Sequence, residues 1–204
     1  MRLKNIVLLG IDPGLRSFGY AAIAFPPDPS SDVMRVEDFG YFGTQKATKK
    51  QHVYSTEDLL KRGRELATFL DALIVKQQHD RARLVAICAE AMSWPRNASA
   101  VAKIGIAWGV ILTTALRHRL PILQASPQEI KKRIAGRLDA TKKEVEEGVL
   151  RRVQRANADH LGTTVFAEAA ARIPKTVQEH PFDAAAAAIT CSAAEMVQLA
   201  RRAA

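Results

Sequence analysis

Four side chains, far apart along the chain, have the types and settings to share one piece of chemistry. Asp12 ends the apolar run 6–11 just where a Pro13-Gly14 turn begins, so a carboxylate stands at the lip of a strand with little beside it. Glu90 closes a second apolar run, 84–89, and Asp183 opens the alanine-rich stretch near the C-terminus, three residues after His180. Residues three apart share a helical face, so His180 and Asp183 can aim at one point. Carboxylates brought together without a cation raise one another's pKa, so their convergence is hard to explain as packing. Phosphodiester hydrolysis needs such a set: two divalent ions about 4 Å apart neutralise the phosphate and activate a water. Magnesium takes oxygen ligands and keeps several waters, while manganese tolerates an imidazole better. Each acid also has an ordinary reading on its own, Asp12-Pro-Gly as a turn signal and Asp183 as a favourable charge at a helix start.

Charge points the same way. The chain has 204 residues, with 30 Lys and Arg against 21 Asp and Glu, a formal net charge of +9. That length suits one domain spanning 1–204 with a real core, and a basic excess gathered on one face attracts a polyanion, nucleic acid first. Cys88 and Cys191 lie in apolar runs without metal-ligand spacing, so free thiols and a reducing compartment are expected. The apolar N-terminal run is far shorter than a membrane span, and no membrane association is expected.

The elements that must position the four residues are legible from periodicity. Strands are predicted at 6–11, 20–25 and 34–44, as an antiparallel set, with loops at 26–31 and at the basic stretch 46–52. A helix follows over 55–78, then a strand at 84–89 buried on both faces. Asn97 can cap a helix through 119 with an apolar stripe of Val101, Ile104, Trp108, Ile111, Leu112 and Ala115; Trp108 reads as core, and Gly105 and Gly109 would admit a close neighbour. After a short strand at 121–124, Ser126 with Glu129 and Thr141 with Glu144 form two capping boxes, starting helices to 135 and to 156. A helix over 164–172 and a last one from Pro181 through 201 complete the reading.

In this order the elements and acids resemble the RNase H-like, retroviral-integrase superfamily and, within it, the RuvC family of Holliday junction resolvases. The pieces are Gly10-Ile-Asp-Pro-Gly14 with Gly19-Tyr20; Glu90; Asn97 with Lys103-Ile-Gly105 and Gly109; Ile130-Lys-Lys-Arg-Ile-Ala-Gly136 with Ala140-Thr-Lys142; and His180-Pro-Phe-Asp-Ala184. There are departures. His180 stands where family members commonly carry an acid, Ala91 and Ser93 stand where a glutamine and an aromatic wedge are usual, and Leu138 replaces a glycine. The stretch 157–178 looks longer than the bacterial pattern, as in a divergent or phage-borne member.

The resemblance implies an α/β fold with a mixed five-stranded sheet flanked by helices. It also implies a structure-selective endonuclease that cuts four-way DNA junctions in recombination and repair, using two Mg2+ ions per site with Mn2+ able to substitute. Asp12 and Asp183 would bridge or bind metal directly, Glu90 would serve the second ion, and His180 would ligate or position the attacking water. A homodimer would match the two-fold symmetry of a junction, with helix 97–119 as its interface. The cytoplasm of a bacterial or phage-infected cell follows, and any branch-migration helicase is not legible. Lys103, Lys131, Lys132, Arg133, Lys142 and Lys143, near helix starts on the catalytic side, are the expected phosphate contacts. Trp94 is the expected stacking wedge, with Arg96 and Asn97 beside it in the loop as further expected DNA contacts. Arg117, Arg119, Arg151, Arg152, Arg201 and Arg202 read as solvated faces.

The rivals are a related nuclease on other branched DNA or structured RNA, a junction-binding protein without catalysis, and the actin-like ATPases. The last need a second phosphate-cradling domain that 204 residues do not accommodate.

Overall fold

The computed structural model describes residues 5–31, 33–79, 83–92, 97–156, 168 and 170–204. Strands β1 (Ile6–Asp12) and β2 (Ser17–Phe25) form an antiparallel hairpin, which β3 (Arg35–Gly43) extends. On the other side β4 (Arg83–Glu90) and β5 (Ile122–Ala125) add in parallel, giving the order β3-β2-β1-β4-β5. This is the mixed five-stranded α/β sheet that the resemblance implied.

Both faces of the sheet are covered, and β1 shows why its sequence is continuously apolar. Ile6 and Leu8 point into one core, Val7, Leu9 and Ile11 into the other, and all are essentially fully buried. Each such side chain contributes about 1.5–3 kcal/mol on burial. Helices α1 (Ser55–His79) and α2 (Ala98–Arg117) cover one face through residues including Leu66, Leu70, Ile74, Ala107 and Ile111. The other face is covered by α3 (Pro127–Ala135), α4 (Lys142–Ala156), α5 (Glu179–Cys191) and α6 (Glu195–Arg202). Cys88 and Cys191 are buried free thiols.

Helix starts follow the side-chain chemistry. Asn97 Oδ1 accepts from the amides of Ser99 and Ala100 at 2.8 and 3.3 Å. Ser126 and Glu129 cap each other's backbone reciprocally, as do Thr141 and Glu144. A cap of this kind stabilises by about 1 kcal/mol.

Three expectations need correction. The last helix starts at Glu179, two residues before Pro181, because the first-turn amides have no intrahelical partner and proline loses nothing there. It also stops at Cys191, and α6 begins only after Ala194 takes an extended conformation. Ser192 Oγ donates back to the Ile189 carbonyl at 2.7 Å, a local bond that competes with continuing the helix. Finally, Arg201 is not on a solvated face. It is 4% exposed, four residues after buried Val197. Its guanidinium lies over the Phe25 ring and donates to the carbonyls of Pro26, Asp28 and Ser31, stapling the loop after β2. The expected helix at 164–172 falls mostly outside the described residues.

Candidate active site

Asp12 and Glu90 are neighbours because their strands are. β1 and β4 run parallel with Ile11 paired to Ala89, so the two carboxylates leave the sheet side by side at the same end. The other two residues arrive on α5, which lies directly on the hairpin. A Cβ on Gly10 would stand 1.9 Å from the Ala184 carbonyl oxygen, and one on Gly19 would stand 2.2 Å from that of His180. No side chain fits there, so these glycines and the buried alanines 184–188 let helix backbone rest on sheet backbone. Gly19 is also the strand partner of Asp12. His180 therefore sits over Asp12, and its Nδ1 lies 2.5 Å from Asp12 Oδ2.

All four side chains line one cleft of about 460 Å³, faced by Lys131 and Lys142 and by Ile104 and Trp108 of α2. Burial, reinforced by the Asp12 charge and then by Glu90, pushes the Asp183 carboxyl up to about 7 although Lys142 opposes the shift. Glu90 is raised for the same reasons, burial first and Asp12 second, with Lys142 and Lys131 opposing. The hydrogen bond to Asp12 raises His180 against the effect of its burial. Lys142 Nζ donates to Glu179 at 2.9 Å and stands 3.8 Å from Asp183 Oδ2, and its own pKa is raised, chiefly by Glu179.

Glu90 and Asp183, held above their ordinary range by burial first and by neighbouring carboxylates second, mark a site deficient in positive charge, and oxygen ligands with one imidazole fit a hard divalent cation. Among the described residues no three His, Cys, Asp or Glu side chains are already gathered around one point. Asp12 is bonded to His180 and Asp183 faces Lys142, so holding an ion requires side-chain rotation within the cleft.

The basic residues divide more finely than their spacing suggests. Lys131 and Lys142 face the cleft, whereas Lys132 and Arg133 line a separate cavity of about 860 Å³ and Lys103 lines a third. Lys143 is exposed and 4.0 Å from Glu147. Successive helical residues are turned by about 100°, which scatters a run of lysines to different sides. Asn97 serves as a helix cap, while Trp94 and Arg96 lie outside the described residues. Two participants escaped the sequence reading. Trp108, expected as core, is only partly buried and walls the cleft, and Glu179 anchors Lys142. The only signal for Glu179 is its place beside His180.

Comparisons with known proteins bear on the family and the fold, and the profile match ends before His180 and Asp183. The profile of the family described as "Crossover junction endodeoxyribonuclease RuvC" matches residues 8–171. A curated protein of that name from Caldicellulosiruptor saccharolyticus is 30% identical over 146 residues, covering 70% of this chain and 75% of the relative. Another, from Pseudothermotoga lettingae, is 25% identical over 142 residues, 70% of this chain and 76% of the relative. The solved structure "T. thermophilus RuvC in complex with Holliday junction substrate" superposes with a TM-score of 0.65 at 20% identity, covering 97% of this chain and 96% of that one, a likeness of fold. With four-fifths of its length matched by the family profile and its acids gathered in one cleft, this chain belongs to the RuvC family of crossover junction endodeoxyribonucleases.

Proposed function

We propose that this chain is a metal-dependent endonuclease that cuts four-way DNA junctions, forming one nuclease domain over its whole length and working in a bacterial cytoplasm. The observation that carries the reading is the single cleft lined by Asp12, Glu90, His180 and Asp183 with Lys131 and Lys142 on its wall. Relatives bear the name of such an enzyme, and one of them is known in complex with a Holliday junction.

Asp12, Glu90 and Asp183 would hold two magnesium or manganese ions. When bound, these supply charge neutralisation at the phosphate and a more acidic water. His180, whose Nδ1 meets Asp12 in the metal-free cleft, would orient the attacking water through Nε2 or join the ligands once Asp12 turns to an ion. Lys142 and Lys131 meet the phosphate oxygens, and Glu179 keeps the Lys142 ammonium charged and placed. Trp108 gives the opposite wall an apolar surface, which excludes water from one side of the scissile group.

A junction has two-fold symmetry, so two copies placing two clefts on opposed strands complete the unit. Helix α2 has the surface for it. Ala102, Gly105, Gly109, Leu112 and Leu116 make an exposed stripe, Leu112 and Leu116 are 52% and 69% exposed, and among the described residues nothing beyond the helix's own backbone and the adjoining residues comes within 4 Å of a Cβ built on either glycine. The helix is also long and apolar enough to cross a membrane by length and composition alone. Its other face nevertheless packs Ala107, Ile111 and Ala115 into the core, which suits a second copy better than lipid.

The direct test is cleavage of a synthetic mobile junction by wild type and by Asp12→Asn, with and without magnesium. Wild type should make paired symmetric nicks only with metal, and Asp12→Asn should be slower by about 10³-fold or more. Equal cutting of RNA hairpins, or no nicks even with manganese, would defeat the reading.

A further inference from the structure

A second polar cavity, of about 640 Å³, opens beside the catalytic cleft. It is bounded by the β1–β2 turn, the segment after β3, and the first turns of α1 and α2. The two hollows are walled by the same short segments. In the turn, Pro13 faces the cleft and Arg16 the second cavity; on α2, Ile104 faces the cleft and Lys103 the second cavity.

Its charge is unbalanced. Arg16, Lys46 and Lys103 are exposed on its rim, and none of them has a carboxylate partner among the described residues. Its floor is Arg62, 3% exposed, whose Nε donates to Thr44 Oγ1 at 2.8 Å and whose Nη1 stands 3.5 Å from Asp58 Oδ2. Nη2 is left without a protein partner among the described residues. Thr44 Oγ1 in turn donates to the Leu15 carbonyl, and Asp58 accepts the Ala47 amide at 2.8 Å. This buried network holds the chain around Lys46 against α1 and against the turn that carries Arg16. Four cations thus surround one carboxylate, and that carboxylate is already engaged. The hydroxyls of Ser55 and Ser99 stand on the same walls as further donors.

An apolar guest would gain nothing here, and a cation would be repelled. A phosphate oxyanion satisfies every element of the site, since guanidinium and ammonium donors give charge-assisted bonds to it. We propose that this cavity is a phosphodiester subsite, holding a backbone phosphate of the strand whose neighbouring stretch lies in the catalytic cleft. It rests on the nuclease reading, and through it the basic stretch after β3 steers one arm of the substrate away from the scissile phosphate.

The test is the salt dependence of binding to a labelled junction, measured in EDTA so that no cutting occurs. Arg16→Gln/Lys46→Gln is compared with wild type and with Lys61→Gln/Lys76→Gln, which removes the same charge elsewhere. Loss of one phosphate contact lowers the slope of log affinity against log salt by about 1 and weakens binding roughly tenfold. We expect that from the first variant and an unchanged slope from the second. Equal slopes for all three proteins, or an equal fall in both variants, overturns the subsite. Inorganic phosphate raising the melting temperature of wild type but not of the first variant, with no change in the junction slope, makes the ligand a free anion and overturns the backbone assignment. Wild type binding a junction no better than plain duplex defeats the junction reading, and the subsite then stands or falls on the slope alone.

Discussion

Asp183 carries opposed demands, and its substitution separates them. In the metal-free protein, burial, with Asp12 and Glu90 adding to it, pushes its carboxyl up to about 7 from an ordinary 3.8. A folded-state pKa above the unfolded one means that ionisation costs stability: nothing below about pH 4, more through the interval, and the full amount above about pH 7. The side chain keeps 26% of its surface exposed, so the cost is on the order of 2 kcal/mol rather than the roughly 4 that the whole shift would give. Asp183→Asn should therefore raise the melting temperature in EDTA at pH 8, change little at pH 4, and abolish metal-dependent cutting. A variant less stable than wild type at pH 8 would contradict the account. Asp12 and Glu90 stood out in the sequence because a carboxylate at the end of a buried strand gains nothing from packing, whereas Asp183, on a helix, stood out only through its spacing from His180. The Lys142–Glu179 pair was not, since its partners are 37 positions apart and share no periodic pattern.

Among the elements, α5 is positioned by what the strands lack. Gly10→Ala would drive a Cβ into the Ala184 carbonyl, and backbone cannot step aside as a flexible side chain can. The expected cost is about 3 kcal/mol or more, read by urea unfolding, together with lost cleavage as His180 and Asp183 are carried off Asp12. Retained activity at near wild-type stability would show that the helix seat has slack. The glycines were visible in the sequence, but not their opposite numbers. Capping boxes at Ser126 and Thr141 were readable because their chemistry is local, three residues from end to end. The break after Cys191 was hidden in the alanine-rich run, where no change of periodicity marks it. Arg201 was misread because an arginine answering backbone carbonyls in a loop some 170 residues earlier looks, in one dimension, like any exposed base.

At the scale of the molecule, the places of the strands along the chain were legible from hydropathy, because a strand flanked on both sides reads as unbroken apolar sequence, while the mixed sheet they build was implied by the family resemblance and not by periodicity. The sorting of cations did not, because it depends on helix rotation. Dimerisation belongs to this scale too. Leu112→Glu/Leu116→Glu places two charges on the exposed face of α2 without touching its buried side. It should leave folding within about 0.5 kcal/mol of wild type, as surface changes do, while sedimentation at micromolar concentration shifts to monomer and paired nicking becomes single. A variant still dimeric would move the interface elsewhere. The backbone-on-backbone seat of α5 has a mechanical corollary. An enzyme that grips a bent polymer needs an anvil as well as a jaw, and Asp12, His180 and Asp183 ride on the part that has no room to give. Any tightening around the substrate must come from the opposite rim, where Glu90 leads into coil at 91–92 and Lys142 opens its helix.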